Sequence, residues 1–143
     1  MSIWKTKPDL ETVQKMSAKA MGGHIGMQIT EIGEDYVRGT LPIDHRTVQP
    51  WGRLHGGASV VLAEELGSTA ANLCLDAKAF FAVGLDINAN HLRGVTSGKV
   101  TGTARPVHIG RSTQVWEIHI VDDQGQLACI SRLTMAVVPH PKT

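Results

Sequence analysis

Residues 52–68 read GRLHGGASVVLAEELGS, and this stretch opens the longest helix that the sequence predicts. From Gly57 to about Asp76 there is no proline, and alanine and leucine are frequent. The segment is long enough for roughly five turns at 3.6 residues per turn. It carries two adjacent carboxylates, Glu64 and Glu65, among apolar neighbours, so the faces on which they lie decide what the helix can do.

Helical spacing separates the two glutamates. Glu65 shares its face with polar residues, which predicts a solvated stripe made of Thr69, Asn72 and Asp76. Glu64 shares its face with an apolar strip broken by one hydroxyl, made of Val60, Ser68, Ala71 and Leu75. Burial there would raise the pKa of the Glu64 carboxyl toward the range used in acid–base chemistry. The spacing also fits a Glu64 carboxylate whose hydrogen bonds are satisfied within the core, or a helix shallow enough for both carboxylates to reach water.

The start of the same helix offers a second chemical element. His55, Gly56 and Gly57 would lie at its N-terminus, where free backbone N–H groups and the helix dipole favour a developing oxyanion. Glycine also serves any tight strand-to-helix turn, so this motif alone has little specificity. The eight residues from Gly56 to Glu64 span about 12 Å, too far for both to act on one carbonyl. If both are catalytic, they come from two chains, which predicts a dimer with shared active sites.

The remaining patterns predict a single α+β domain over residues 1–143. A short amphipathic helix is expected near the N-terminus, with Thr6 in a capping box and a stop at Gly22–Gly23. DYVRGTLPID and FFAVGLDINANHLR are typical of extended chain, and three strands are expected within Lys99–Val138. The last of these, LACISRLTMAVV, is expected to be a central strand covered on both faces. Helix, strand, long helix and antiparallel strands in this order define the α+β class.

Composition narrows the possible partners. Charged residues make up 19% of the chain and the formal net charge is +1, which argues against a nucleic-acid-binding surface. No apolar run approaches a membrane span, and MSIWKTKPDLE lacks the apolar core of a signal peptide, so a cytoplasmic protein without membrane partners is expected. Cys74 and Cys129 have no close-spaced partner, which favours reduced thiols over a disulfide or a metal site.

Three segments resemble the hotdog-fold acyl-CoA thioesterases: TVQPWGRLHGGASVVLAEELGS, VGLDINANHLR and PVHIGRSTQVWEIHIVDDQGQLACISRLTMAV. The likeness runs nearly end to end and is greatest to the bacterial branch that contains 1,4-dihydroxy-2-naphthoyl-CoA thioesterases and enterobactin proofreading thioesterases. It implies a long helix wrapped by a curved antiparallel β-sheet, a homodimer joined edge to edge, and a homotetramer of two dimers. The implied substrate is an acyl-CoA or acyl-carrier-protein thioester. No cofactor is implied, because coenzyme A is part of the substrate.

The resemblance also implies roles for single residues. Glu64 would be the nucleophile or general base, and it would face the N–H of Gly56 of the partner subunit, which polarises the thioester carbonyl. Gln49 would bind near the carboxylate or the attacking water, and His55 would orient the thioester. Ser68 would position water or assist the leaving thiolate. From the residues alone, these three also fit a loop glutamine, a helix-capping histidine and a tolerated small residue.

Coenzyme A needs cations for its phosphates and a strand edge for its pantetheine arm. The resemblance implies a nucleotide site at loops and strand ends, formed by Arg93, Gly110, Arg111 and Ser112. Val83 and Gly84 would pair with the pantetheine, and His91 would lie near the acyl pocket. Solvated arginines and a core histidine are the structural alternatives.

Two other functions fit the same fold. A hotdog hydratase or dehydratase needs a histidine base, usually in a His-Phe-Pro-Gly context, whereas residues 54–57 read LHGG. A non-catalytic acyl-CoA-binding protein would keep the groove without needing Glu64. The acyl group stays open among aryl, β-ketoacyl and medium-chain groups, because Trp51 and the segment CLDAKAFFAVG depart from the family pattern.

Overall fold

A computed structural model describes residues 1–5 and 7–142, in which a long helix packs against an antiparallel sheet. In chain order, the elements are α1 (Leu10–Ala18), α2 (Met21–His24), β1 (Gln28–Ile32), β2 (Val37–Pro42), α3 (Gly56–Leu73), β3 (Phe80–His91), β4 (Lys99–Ile109), β5 (Thr113–Val121) and β6 (Leu127–Pro139). The α+β hotdog architecture expected from the sequence is therefore confirmed. No helix in the described ranges has the length and apolar character needed to cross a bilayer.

The sheet runs in the order β1-β2-β4-β5-β6-β3, and every neighbouring pair is antiparallel. This order puts β3, which follows α3 in the chain, at one edge beside β6. It spans 12 residues, and its pairing with β6 runs from Phe80 opposite Pro139 to His91 opposite Cys129. The register shifts between Gly84 and Asp86, which marks a bulge in the edge strand. The outer backbone groups of β3 have no neighbouring strand in this sheet.

Helix α3 touches five of the strands, β2 to β6, and its buried face approaches the sheet closely. Leu62 and Leu66 are fully buried at this contact. Gly39 and Gly102, which face each other in the β2–β4 ladder, lie under Leu66. A Cβ on Gly102 would stand 2.8 Å from Leu66 Cδ1, and one on Gly39 would stand 2.9 Å from Cδ2. Glycine at both positions is what lets the helix come this near to the strands.

Leu66→Ala is expected to lower the free energy of unfolding by about 2–5 kcal/mol, because it leaves a cavity between α3 and the two glycines. Chemical denaturation of the purified protein measures this. Met16→Ala serves as the control, since Met16 is 71% exposed and the change should stay within about 0.5 kcal/mol. Equal unfolding free energies for the two variants would contradict the packing described above.

Several strand predictions are confirmed. The three strands expected in the last third are β4, β5 and β6, and Trp116, Ile118 and Ile120 of β5 are fully buried as their alternation predicts. Strand β1 was not predicted, because five residues with a bulge between Ile29 and Glu31 give almost no alternation. The sequence therefore predicts the order of the elements except for this first strand and the short helix α2.

Two N-terminal predictions need correction. Thr6 lies outside the described residues, and the N-cap of α1 is Asp9, whose carboxylate accepts from the Thr12 N–H. Gly22–Gly23 does not stop the helix: α1 ends at Ala18, and the two glycines lie within α2.

The prediction that β6 is covered on both faces is wrong for the single chain. β6 is an interior strand of the sheet, but its residues alternate between buried and more exposed. Arg132 is exposed and pairs with Glu117 at 2.8 Å. The apolar run hid this alternation, because Ala136 and Val138 lie on the outer face together with Arg132.

Candidate active site

The N-terminus of α3 presents a free backbone donor. His55 is the N-cap in extended conformation, and its Nδ1 accepts the Gly57 N–H at 2.8 Å. The N–H groups of Ala58 and Ser59 donate to the His55 carbonyl. The Gly56 N–H has no acceptor within the described ranges, so it can donate to a ligand oxygen. His55 is thus a helix-capping histidine, as the structural alternative predicted.

His91 packs directly on Gly56. A Cβ on Gly56 would stand 2.9 Å from His91 Nε2, so only glycine leaves the imidazole where it is. Both residues line a recess of about 380 Å³ together with polar side chains from the loop before α3 and the end of β3. The predicted site residues that this recess brings together are Gln49, Gly56, His91 and Arg93. The sequence missed two further polar residues that line the recess, Arg53 and Ser59.

Local hydrogen bonds hold the loop that carries Gln49. The Gln49 N–H donates to the Arg53 carbonyl at 2.8 Å, and the Gln49 side-chain oxygen accepts the Trp51 N–H at 2.5 Å. Earlier in the loop, Arg46 donates to Asp44 from its guanidinium and from its backbone N–H, and these bonds lower the pKa of the Asp44 carboxyl to about 2. The loop is therefore built around ordered turns, and Gln49 is a partly exposed loop residue at the recess.

Glu64 lies at a second and larger cleft, of about 650 Å³, between α3 and the α1–α2 segment. Its walls are largely apolar, and Val13, Met16 and Val61 contribute to them. The carboxylate adjoins the edge strand, because a Cβ on Gly84 would stand 2.6 Å from Glu64 Oε1. Glu64 thus lies between an apolar cleft and Gly84 of β3.

Ser68 lines the same cleft one turn after Glu64, as predicted, and its hydroxyl lies 3.8 Å from Met135 Sδ. Asn72, which the sequence assigns to the polar stripe, ties α3 to the start of β3. Its amide accepts the Ala82 N–H at 2.8 Å and donates to the Ala82 carbonyl at 3.3 Å. This tie fixes the position of β3 two residues before Gly84.

Both predictions about burial of the glutamates need correction. Glu65 is not on a solvated stripe: it is partly buried, and its Oε1 accepts the Ser17 hydroxyl at 2.5 Å. Glu64 is partly exposed in the single chain rather than buried in the core, which agrees with the alternative of a helix shallow enough for both carboxylates to reach water. Helical spacing could not reveal either result, because it does not show that α1 and α2 cover the Glu65 face. As a consequence, both glutamates line one cleft.

The recess at Gly56 and the cleft at Glu64 share no lining residue. The residues predicted to bind the nucleotide of coenzyme A are also far apart in the single chain. Arg93 is at one end of the sheet, where its Nε lies 3.6 Å from Asp122 Oδ2, just beyond the end of β5. Gly110, Arg111 and Ser112 form the turn before β5, at the other end of this 9-residue strand. At about 3.3 Å per residue these ends are roughly 30 Å apart, so one chain does not bring the four residues together.

Known proteins resemble this chain over nearly its whole length. It is 48% identical over 136 residues to the 1,4-dihydroxy-2-naphthoyl-CoA hydrolase of Escherichia coli, covering 95% of this chain and 99% of that protein. It is 45% identical over 137 residues to the proofreading thioesterase of Cronobacter turicensis, covering 95% and 98%.

A solved structure shows the same fold in detail. The crystal structure of a thioesterase from Haemophilus influenzae matches with a TM-score of 0.94 at 48% identity, covering 98% of this chain and 97% of that one. The sequence pattern of the thioesterase superfamily matches residues 52–129, which include α3 and the two arginines of the recess. The chain therefore belongs to the thioesterase superfamily and is a thioester hydrolase.

Proposed function

We propose that this thioesterase hydrolyses acyl-CoA or acyl-carrier-protein thioesters, with Glu64 as the catalytic carboxylate and the Gly56 N–H as the oxyanion donor. One observation carries the proposal: the Gly56 N–H is free at the start of a helix whose Glu64 lines an apolar cleft. A hydrogen-bond donor aimed at the developing oxyanion lowers the barrier to attack on the thioester carbonyl. A carboxylate can act there as the nucleophile or as the general base. The chemistry needs no further cofactor, because the leaving coenzyme A belongs to the substrate.

Two routes use the same groups. In the first, a Glu64 oxygen attacks the carbonyl carbon, the C–S bond breaks, and the thiolate leaves and takes up a proton. Water then hydrolyses the anhydride, which releases the acid and restores the carboxylate. In the second, Glu64 takes a proton from water, the hydroxide oxygen attacks, and the proton passes to the departing thiolate. A single turnover in labelled water separates them, since label in the Glu64 carboxylate requires the anhydride.

The active site takes Glu64 from one subunit and Gly56 from the other. The supporting facts are the separation of about 12 Å along α3, the two pockets without a shared residue, and the open edge of β3. Antiparallel pairing of two β3 edges about an axis between Ile87 and Asn88 sets Gly84 opposite His91 of the partner subunit. Because Glu64 adjoins Gly84 and His91 adjoins Gly56, this pairing unites the two halves.

The same pairing of subunits is compatible with the residues that we propose to bind coenzyme A. Val83 and Gly84 lie on the edge strand, where they would follow the pantetheine arm. Arg93 of one subunit and Gly110, Arg111 and Ser112 of another would reach the nucleotide from opposite ends of their sheets. Two such dimers form the expected homotetramer. We place the reaction in the cytoplasm, where the free thiols of Cys74 and Cys129 are stable.

A hydrolysis screen tests this function. We expect thiol release from at least one aryl-, β-ketoacyl- or medium-chain acyl-CoA, measured with a thiol reagent over a panel that includes carrier-protein thioesters. An absence of thiol release across the panel would contradict the assignment. Hydration of an enoyl-CoA without thiol release would favour the hydratase alternative instead.

A further inference from the structure

We propose that Glu65, held in place by Ser17, selects acyl groups that carry a hydrogen-bond donor, such as a hydroxyl, in the cleft beyond the thioester. This inference rests on the proposed function, because it takes the cleft beside Glu64 as the place of the acyl group. It assigns a substrate property to a side chain that the hydrolysis itself does not use.

Glu65 follows Glu64 directly on α3. Adjacent residues of a helix differ by 1.5 Å in height and about 100° in direction. Both glutamates nevertheless line the same cleft of about 650 Å³. An acyl group whose carbonyl is at Glu64 and whose remainder fills the cleft has to pass Glu65.

A hydrogen bond from α1 orients the Glu65 carboxylate. Ser17 is only 8% exposed, and its hydroxyl donates to Glu65 Oε1 at 2.5 Å. Oε2 lies against the backbone of Gly22, so closely that a Cβ at that position would collide with it. No donor of the described chain reaches Oε2. Ser17 thus fixes one oxygen of a carboxylate that lines the cleft, and the other oxygen accepts no hydrogen bond from the described chain.

Leaving Oε2 without a hydrogen-bond donor costs free energy when water is displaced from it. The walls around it are mostly apolar and include Val13, Met16 and Met21. A purely apolar acyl group would displace water from Oε2 and give no hydrogen bond in return, whereas a hydroxyl would donate to the carboxylate. Sites that hydrogen-bond a substrate hydroxyl discriminate strongly against the analogue that lacks it. A preference of about tenfold or more is expected for this partly exposed acceptor.

The test uses pairs of substrates that differ by one hydroxyl: benzoyl-CoA with 4-hydroxybenzoyl-CoA, and hexanoyl-CoA with 6-hydroxyhexanoyl-CoA. For each enzyme, the ratio of kcat/KM within a pair is measured. In the wild type we expect the hydroxylated member to be favoured about tenfold or more in at least one pair. In Glu65→Ala the ratio should fall to about one, because no acceptor is left. Ser17→Ala keeps the carboxylate but frees it, so its ratio should lie between the two.

The ratio separates recognition from a structural role. If Glu65 only ties α1 to α3, Glu65→Ala lowers the unfolding temperature and both rates together, and the ratio stays as in the wild type; this overturns the proposal. A wild type without preference in either pair overturns it as well. Glu11→Ala is the matched control, an exposed α1 carboxylate paired with Lys15, and should leave the ratio unchanged. Failure of the wild type to hydrolyse any of the four thioesters counts against the proposed function itself.

Discussion

Replacing Glu64 by glutamine is expected to lower kcat for thioester hydrolysis between about a hundredfold and ten-thousandfold. Glutamine has the same shape, so it keeps the contact with Gly84, but it neither attacks a carbonyl nor accepts a proton from water. Because the oxyanion donor and the binding groups are untouched, KM should change much less than kcat. Initial rates of thiol release over a range of substrate concentrations measure both constants.

A matched variant and a binding measurement complete this test. Glu34→Gln removes a carboxylate in the β1–β2 turn, where the side chain is 77% exposed, and should leave kcat unchanged. Calorimetric titration with coenzyme A should give the same affinity for Glu64→Gln and the wild type. Retained hydrolysis in Glu64→Gln would remove this residue from the mechanism.

Periodicity predicts elements well where a single face is buried. The burial of Trp116, Ile118 and Ile120 follows from their alternation, and α3 lies where the proline-free segment predicts it. Periodicity predicts less well where burial depends on elements distant in the sequence. Glu65 lies on a polar helix face, yet α1 partly covers its side chain, and Ser17 of α1, 48 positions away, donates a hydrogen bond to it. Such tertiary contacts are invisible to a helical projection.

In the candidate site, too, local features can be predicted from the sequence, whereas tertiary contacts cannot. The free Gly56 N–H follows from its place at a helix start, and the capping role of His55 is a local property of the same turn. The packing of His91 on Gly56 and of Glu64 against Gly84 depends on how β3 returns along α3, which no local pattern encodes. For that reason the sequence placed these residues in one site through family resemblance rather than through spacing.

Removing the Gly56 N–H is expected to lower kcat/KM about a hundredfold to a thousandfold, the cost of one oxyanion donor. Gly56→Pro does this without opposing the helix, because proline suits the first position of a helix and His55 already has the extended ψ of 132° that a preceding residue needs. Its Cβ presses on the His91 ring, so Gly56→Ala is the matched control: alanine adds the same Cβ against His91 but keeps the N–H. Equal rates for the alanine and proline variants would exclude the N–H as donor.

Combining the two defective chains tests whether active sites are shared. If Gly56 and Glu64 act from different subunits, a dimer of one Gly56→Pro chain and one Glu64→Gln chain has one site with both defects and one with neither. Random pairing of equal amounts gives half mixed dimers, so refolding the mixture should restore about a quarter of wild-type activity. Each variant refolded alone supplies the baseline. If both residues acted within one chain, every site would keep one defect and the mixture would stay at the mean of the two baselines. Restored activity therefore requires a site formed between two subunits, as the separation of the two pockets in the single chain leads us to expect.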